Sequence, residues 1–156
     1  MKPSLIVFDL DYTLWPFWVD THVDPPFKKQ SDGRVLDFHG RHVKYYRDVP
    51  QMLKQLQQEG YTLAVASRTS CTDEARQLLN LFDWNKYFTY KEIYPGSKVA
   101  HFQRFHEQSG LPYQKMLFFD GCFLCVTCIH AKDGMSLQVL QEGLQVFAEK
   151  SQGRKT

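Results

Sequence analysis

The chain has 156 residues, 43% hydrophobic and 15% aromatic, with a formal net charge of +2. That length suits one domain, and that apolar content supports a packed core and excludes intrinsic disorder. The near-neutral charge gives no case for nucleic acid or a basic membrane patch, and no stretch approaches the roughly 20 apolar residues that span a bilayer.

Leu5–Phe8 is the first predicted strand. Four apolar residues in succession read as a strand buried on both faces. The apolar run ends at Asp9 and is too short for a signal peptide. The chain is therefore expected to be an intracellular, cytoplasmic monomer whose four cysteines are reduced thiols. Residues 15–48 then depart from any helix–strand alternation. They hold Trp15, Phe17 and Trp18, then Pro25-Pro26, a turn signal at Asp32-Gly33, and Phe38-His39-Gly40-Arg41, which suits the tip or far arm of a hairpin. Placed directly after the first strand, this insertion suits a small cap or rim. Its aromatics suit core packing better than substrate contact.

Val49–Gln58 carries Met52, Leu53 and Leu56 at helical spacing, and Gly60 closes that helix. Residues 61–66 form the second strand. Ser70 followed by Asp73 predicts a capping box opening a helix with Ala75, Leu78, Leu79 and Phe82. Residues 88–90 are the third strand. Ser97 caps a helix that carries Val99, Phe102 and Phe105 and ends at Gly110. Met116–Phe119 is the fourth strand and residues 126–130 the fifth. Ser136 caps the last helix, with Leu137, Leu140, Leu144 and Phe147 on its apolar side. The alternation predicts one α/β domain over residues 1–150 with a mainly parallel sheet flanked by helices, and residues 151–156 read as a disordered tail.

Asp9-Leu10-Asp11-Tyr12-Thr13 stands at the carboxyl end of the first strand. Two carboxylates this close repel, and desolvation disfavours both. A hard cation such as Mg²⁺ resolves the conflict, because it takes one or two carboxylates together with phosphate oxygens. The bland alternative is an acidic strand end in solvent. Asp-x-Asp-x-Thr after a hydrophobic strand resembles the first motif of haloacid-dehalogenase-type phosphatases. Phe8-Asp9-Leu10-Asp11-Tyr12-Thr13-Leu14-Trp15-Pro16 is similar to the small, magnesium-dependent eukaryotic branch of that superfamily. The resemblance implies a Rossmann-type fold, Mg²⁺ as cofactor and phosphomonoester hydrolysis through an aspartyl-phosphate.

Ligands in open α/β sheets sit at the carboxyl ends of the strands. Asp9 and Asp11 follow the first strand, Ser67 and Arg68 the second, Lys98 the third and Asp120 the fourth. Phosphoryl-transfer chemistry gives each a role. Asp9, fixed at the strand terminus, is the candidate nucleophile. Asp11 is the candidate general acid and base. Ser67 would hydrogen-bond a phosphoryl oxygen and Lys98 would neutralise charge there. Asp9, Asp11 and Asp120 would hold Mg²⁺. These roles match the family's motifs. The Ser67-Arg68 pair resembles a substrate-binding element of the magnesium-dependent branch. Ser67 as a turn residue, Lys98 as a solvated lysine and Arg68 in a surface ion pair are the ordinary alternatives.

The fourth motif departs from the family pattern. The related phosphatases place two adjacent aspartates and then a helix after the fourth strand, whereas here Gly121 follows Asp120 and the fifth strand begins within a few residues. A parallel crossover normally takes a dozen or more residues. The last strand–helix unit is therefore expected to be disrupted, with residues 126–130 in an antiparallel hairpin or along the sheet edge. Such an abrupt internal loss matches a spliced-out segment. The missing carboxylate is expected to weaken Mg²⁺ binding. Cys122, Cys125, Cys128 and His130 could ligate zinc, but the interleaved apolar residues favour buried structural cysteines. Cys71 and Arg76 fall one residue short of a phosphate-cradling Cys-x5-Arg loop.

The resemblance implies phosphotyrosine in proteins and fructosamine 6-phosphate as substrates. The residues alone give only a phosphomonoester. The rival expectation is a catalytically silent relative that keeps the fold and binds a partner or a phosphorylated ligand. A phosphotransferase or mutase would want a larger cap than residues 15–48 offer.

Overall fold

The computed structural model describes residues 1–119 and 127–153. In chain order the elements are β1 (Leu5–Phe8), β2 (Lys28–Lys29), β3 (Val35–Leu36), β4 (His42–Val43), α1 (Val49–Gln58) and β5 (Leu63–Ser67). There follow α2 (Thr72–Leu81), β6 (Phe88–Ile93), α3 (Lys98–Ser109), β7 (Met116–Phe119), β8 (Thr127–Ile129) and α4 (Leu137–Gly153). Five strands make one sheet in the order β6-β5-β1-β7-β8, and every pairing in it is parallel. The chain winds from β1 out to β6 and then returns to the other side of β1. β1 is therefore where the order reverses, the position at which such sheets bind ligands.

The alternation of side chains along each strand divides the core into two layers. Ile6, Phe8, Leu63, Val65, Leu117 and Phe119 face α1, α2 and α4, together with Trp15 and Phe17 of the insertion. Leu5, Val7, Ala64, Ala66, Met116 and Phe118 face Phe102 and Phe105 of α3. Among the described residues α3 is the helix that covers this second face. The insertion folds into a three-stranded antiparallel sheet, β2-β3-β4. Its turns fall at Asp32-Gly33 and across residues 37–41. Trp15 is fully buried, stacked 5.4 Å from Phe17 and 6.5 Å from Trp84, so these aromatics are core. Trp18, at 51% exposure, is not.

Three expectations are corrected. The segment predicted to leave the parallel arrangement does not: Leu117, Phe118 and Phe119 pair in parallel with Thr127, Cys128 and Ile129. The register explains why. From Phe119 the chain returns only two residues along the strand and one strand across, a separation of about 8 Å at standard strand spacings. Residues 120–126 span up to roughly 25 Å when extended. A connection of a dozen or more residues is what a helical crossover between strands needs, and a partner this short and offset can be reached without one. Residues 120–126 themselves lie outside the described residues. Second, Ser70 does not form a capping box. α2 starts at Thr72 with Cys71 at its N-cap and no side-chain cap bond. A ladder of hydroxyls takes that place: Ser67 Oγ accepts from the Thr69 amide at 3.3 Å, and Thr69 Oγ1 accepts from the Cys71 amide at 3.1 Å. Third, α4 continues past the expected start of the tail, and Ser151 is buried. The caps at Ser97 and Ser136 form as predicted, accepting from the Ala100 amide at 3.4 Å and the Val139 amide at 3.1 Å.

Candidate active site

β1 carries Asp9 to the carboxyl edge of the sheet and holds it there. The Asp9 amide donates to the Phe119 carbonyl at 3.4 Å, and Phe8 stacks on Phe119 at 5.4 Å and 10°. The tip of β1 is thus tied to the tip of β7. Asp9 Oδ1 accepts from the Leu10 amide at 2.8 Å. Lys98 Nζ lies 3.4 Å from the same oxygen, with only 12% and 15% of the two side chains exposed. Lys98 comes from the first turn of α3, and its ammonium also lies 4.8 Å over the Phe118 ring. The nucleophile candidate and the charge-neutralising candidate, 89 residues apart in the sequence, are therefore in contact.

After Asp9 the chain turns sharply. Tyr12 adopts a left-handed φ of 57°, a conformation that costs a non-glycine residue about 1 kcal/mol or more. Its amide donates to the Trp15 carbonyl at 2.7 Å. This loop aims Asp11 inward, where Oδ1 accepts from Trp15 Nε1 at 2.8 Å and from the Val19 amide at 3.2 Å. Burial pushes the Asp11 carboxyl pKa up and Asp20 adds to the rise. The Trp15 and Val19 hydrogen bonds and the Lys98 charge oppose it without cancelling it. A carboxyl whose pKa is pushed up in this way suits proton donation.

Ser67 ends β5 and is buried, at 1% exposure. Its register places it beside the end of β1, since Phe8 pairs with Val65. Because its oxygen accepts from the Thr69 amide, its hydroxyl proton is the one left to donate. Arg68, next in the chain, is exposed. Asp120 lies outside the described residues. Asp9, Asp11, Ser67 and Lys98 thus share one edge of the sheet, with Arg68 at its surface.

Asp9 and Asp11 supply oxygen donors in a partly buried pocket, the chemistry that a hard divalent cation such as Mg²⁺ takes. Their donor chemistry fits that role. No group of three or more His, Cys, Asp or Glu side chains gathers among the described residues; Cys122 and Cys125 of the possible zinc set with Cys128 and His130 lie outside them. Burial raises the Cys71 thiol pKa, helped by Glu74 and Asp20, the opposite of what a nucleophilic cysteine needs.

Two features of the site were not legible in the sequence. Tyr12, Trp18 and His22 form an exposed aromatic rim beside Asp11, with Tyr12 edge-on to Trp18 at 5.5 Å and Trp18 stacked on His22 at 5.4 Å. His101 is fully buried beneath the loops that carry Ser67 and Lys98. Neither has a local signature, because both arise from contacts between loops.

A family model for acid phosphatases matches residues 1–150. Human magnesium-dependent phosphatase 1 is 54% identical over 159 residues, covering 97% of this chain and 90% of that protein. A haloacid-dehalogenase-like hydrolase superfamily protein of Schizosaccharomyces pombe is 44% identical over 129 residues, covering 76% of this chain and 75% of the other. In three dimensions, the phosphatase-containing part of a Bacteroides fragilis protein solved with Mg gives a TM-score of 0.59 at 15% identity, over 90% of this chain and 39% of that one. That last likeness is one of fold.

Proposed function

Since the chain belongs to the acid phosphatase family, within the haloacid-dehalogenase-like hydrolases, we propose that it is a Mg²⁺-dependent phosphomonoesterase that works through an aspartyl-phosphate on Asp9. The observation that carries this reading is the contact of Lys98 with Asp9 at 3.4 Å, next to an Asp11 whose carboxyl pKa burial pushes up. An Asp9 oxygen attacks phosphorus and the bond to the leaving group breaks. Asp11 gives its proton to the departing oxygen. Asp11 then takes a proton from water, the water oxygen attacks the same phosphorus, and Asp9 is released with inorganic phosphate. Lys98 and the Ser67 hydroxyl hold the phosphoryl oxygens throughout, where charge accumulates. Asp9 and an Asp11 oxygen that does not carry the transferred proton, with Asp120 as a further candidate, would hold Mg²⁺, which supplies charge neutralisation at the transferring phosphoryl group.

For the leaving group, the Tyr12–Trp18–His22 rim favours an aromatic or flat polar partner. That supports phosphotyrosine, and Arg68 at the surface suits an acidic substrate segment or a second polar group, as in fructosamine 6-phosphate. A second reading, a silent relative that binds phosphorylated ligands, is favoured by one observation: Gly121 follows Asp120. Hydrolysis of p-nitrophenyl phosphate with and without Mg²⁺ separates the two. Turnover that requires Mg²⁺ and disappears in Asp9→Asn supports the first. Binding of phosphate without turnover, at any Mg²⁺ concentration, overturns it in favour of the second.

A further inference from the structure

His101 sits on the buried face of the first turn of α3, with no exposed surface. Its two ring nitrogens both face backbone carbonyls. Nδ1 lies 2.8 Å from the carbonyl of Ser97, the N-cap of its own helix. Nε2 lies 2.8 Å from the Ser67 carbonyl and 3.0 Å from the Tyr94 carbonyl. The Tyr94 ring stacks on the imidazole at 4.3 Å and 8°, and the Tyr94 amide donates to the same Ser67 carbonyl at 3.1 Å. One ring therefore joins the end of β5, which carries the phosphate-binding hydroxyl, to the loop and helix start that carry Lys98. A fully buried polar side chain is retained at a cost unless its bonds are made, and here every bond it makes falls on a loop of the site.

We propose that His101 is a positioning residue: it fixes the Ser67 loop against the start of α3, so that the Ser67 hydroxyl and the Lys98 ammonium meet the phosphoryl group in one register. The side-chain geometry gives a specific test. In glutamine the terminal nitrogen reaches about as far as Nε2 and carries two hydrogens, one for each of the Ser67 and Tyr94 carbonyls. In asparagine the amide reaches only as far as Nδ1, so it keeps the Ser97 contact and loses the link between the loops. Leucine loses both.

This inference rests on the phosphatase reading for its kinetic arm and stands apart from it in its exchange arm. The parent, His101→Gln, His101→Asn and His101→Leu are compared by steady-state kinetics on p-nitrophenyl phosphate with Mg²⁺, by thermal melts, and by amide hydrogen exchange at Tyr94. Gln is expected to stay within about 3-fold of the parent in kcat. Asn and Leu are expected to lose roughly 10- to 100-fold in kcat, the scale of an ångström-sized misplacement, with a smaller change in KM. A purely structural role predicts instead that kcat per folded molecule is unchanged and that activity follows the melting temperature. The Tyr94 amide is expected to stay protected in the parent and Gln and to exchange faster in Asn and Leu. If the parent shows no turnover, the phosphatase reading fails while the exchange pattern still decides the clamp. Asn matching the parent in kcat and in exchange, or Gln losing as much as Leu, would overturn the proposal.

Discussion

Gly143→Ala should destabilise the protein even though it removes a glycine from the interior of α4. On propensity alone the change is favourable by about 1 kcal/mol. The new Cβ, however, would lie 2.6 Å from Cε1 and Cζ of Phe119 and 3.2 Å from Cγ1 of Ile129. Phe119 has no exposed surface and stacks on Phe8 at 5.4 Å, so its ring cannot swing away without disturbing β1. Overpacking of this kind costs about 1–3 kcal/mol, and more when the neighbour is pinned on its other side. The net loss should be about 1–2 kcal/mol, which lowers the melting temperature by roughly 2–8 °C for a domain of this size. Because Phe119 also accepts from the Asp9 amide, kcat should fall along with stability. Thermal melts followed by far-ultraviolet circular dichroism are the assay, with Gln141→Ala on the exposed side of the same helix as a control expected to leave the melting temperature within 1 °C or so. A Gly143→Ala protein as stable as the parent, or more so, would refute the packing of α4 on β7 and β8 and with it the parallel placement of β8.

Asp11→Asn should lose about 10²- to 10⁴-fold in kcat without a lower melting temperature at pH 7. Asn keeps the oxygen that Trp15 and Val19 donate to, and the native pKa of Asp11 lies above its ordinary 3.8, so stability falls as pH rises through that window and a neutral amide escapes the loss; a less stable variant at pH 7 than at pH 3 relative to the parent contradicts this. Lys98→Met should reduce kcat by about 10²- to 10³-fold while its stem still covers Phe118; parent-like turnover sinks the assigned role. Asp37 is buried within the insertion, where burial works against its charge, but the Arg41 side chain and the Arg41 and Asp24 amides outweigh it and bring its pKa to about 2. Asp37 should therefore contribute about 1–2 kcal/mol, after discounting for the half-exposed Arg41. That contribution is present above pH 3.8 and lost as pH falls toward 2; denaturant titrations of Asp37→Asn that keep the parent's pH dependence would count against it.

Much of the fold was legible because its signals are local. β7 and α1 match their predicted bounds, since an unbroken apolar run and a helical spacing closed by glycine need no tertiary information. Ser97 and Gly110 bound α3 for the same reason. The Asp9, Asp11, Ser67 and Lys98 cluster was legible through the rule that parallel strands gather their carboxyl ends. What failed depended on partners distant in sequence. The orientation of β8 followed from a register that no pattern in residues 126–130 encodes. α2 starts at Thr72 rather than just after Ser70 because the hydroxyls of Ser67 and Thr69 turn the chain ahead of it, accepting from the Thr69 and Cys71 amides, a contact between the strand end and the loop that the Ser70–Asp73 spacing does not encode. His101 reads as one more polar residue in an amphipathic helix until β5 is laid beside it, and the partners of Asp11, Trp15 and Val19, are set by the left-handed turn at Tyr12.

The central claim is that Asp9 is the nucleophile, and chemical trapping tests it most directly. The protein is quenched in acid during turnover of p-nitrophenyl phosphate with Mg²⁺, reduced with borohydride, and mapped by peptide mass spectrometry. Borohydride reduces an aspartyl-phosphate to homoserine, so homoserine should appear at Asp9 alone and be absent from Asp9→Asn. Homoserine at Asp11, or sustained turnover with no modified residue, would contradict the account.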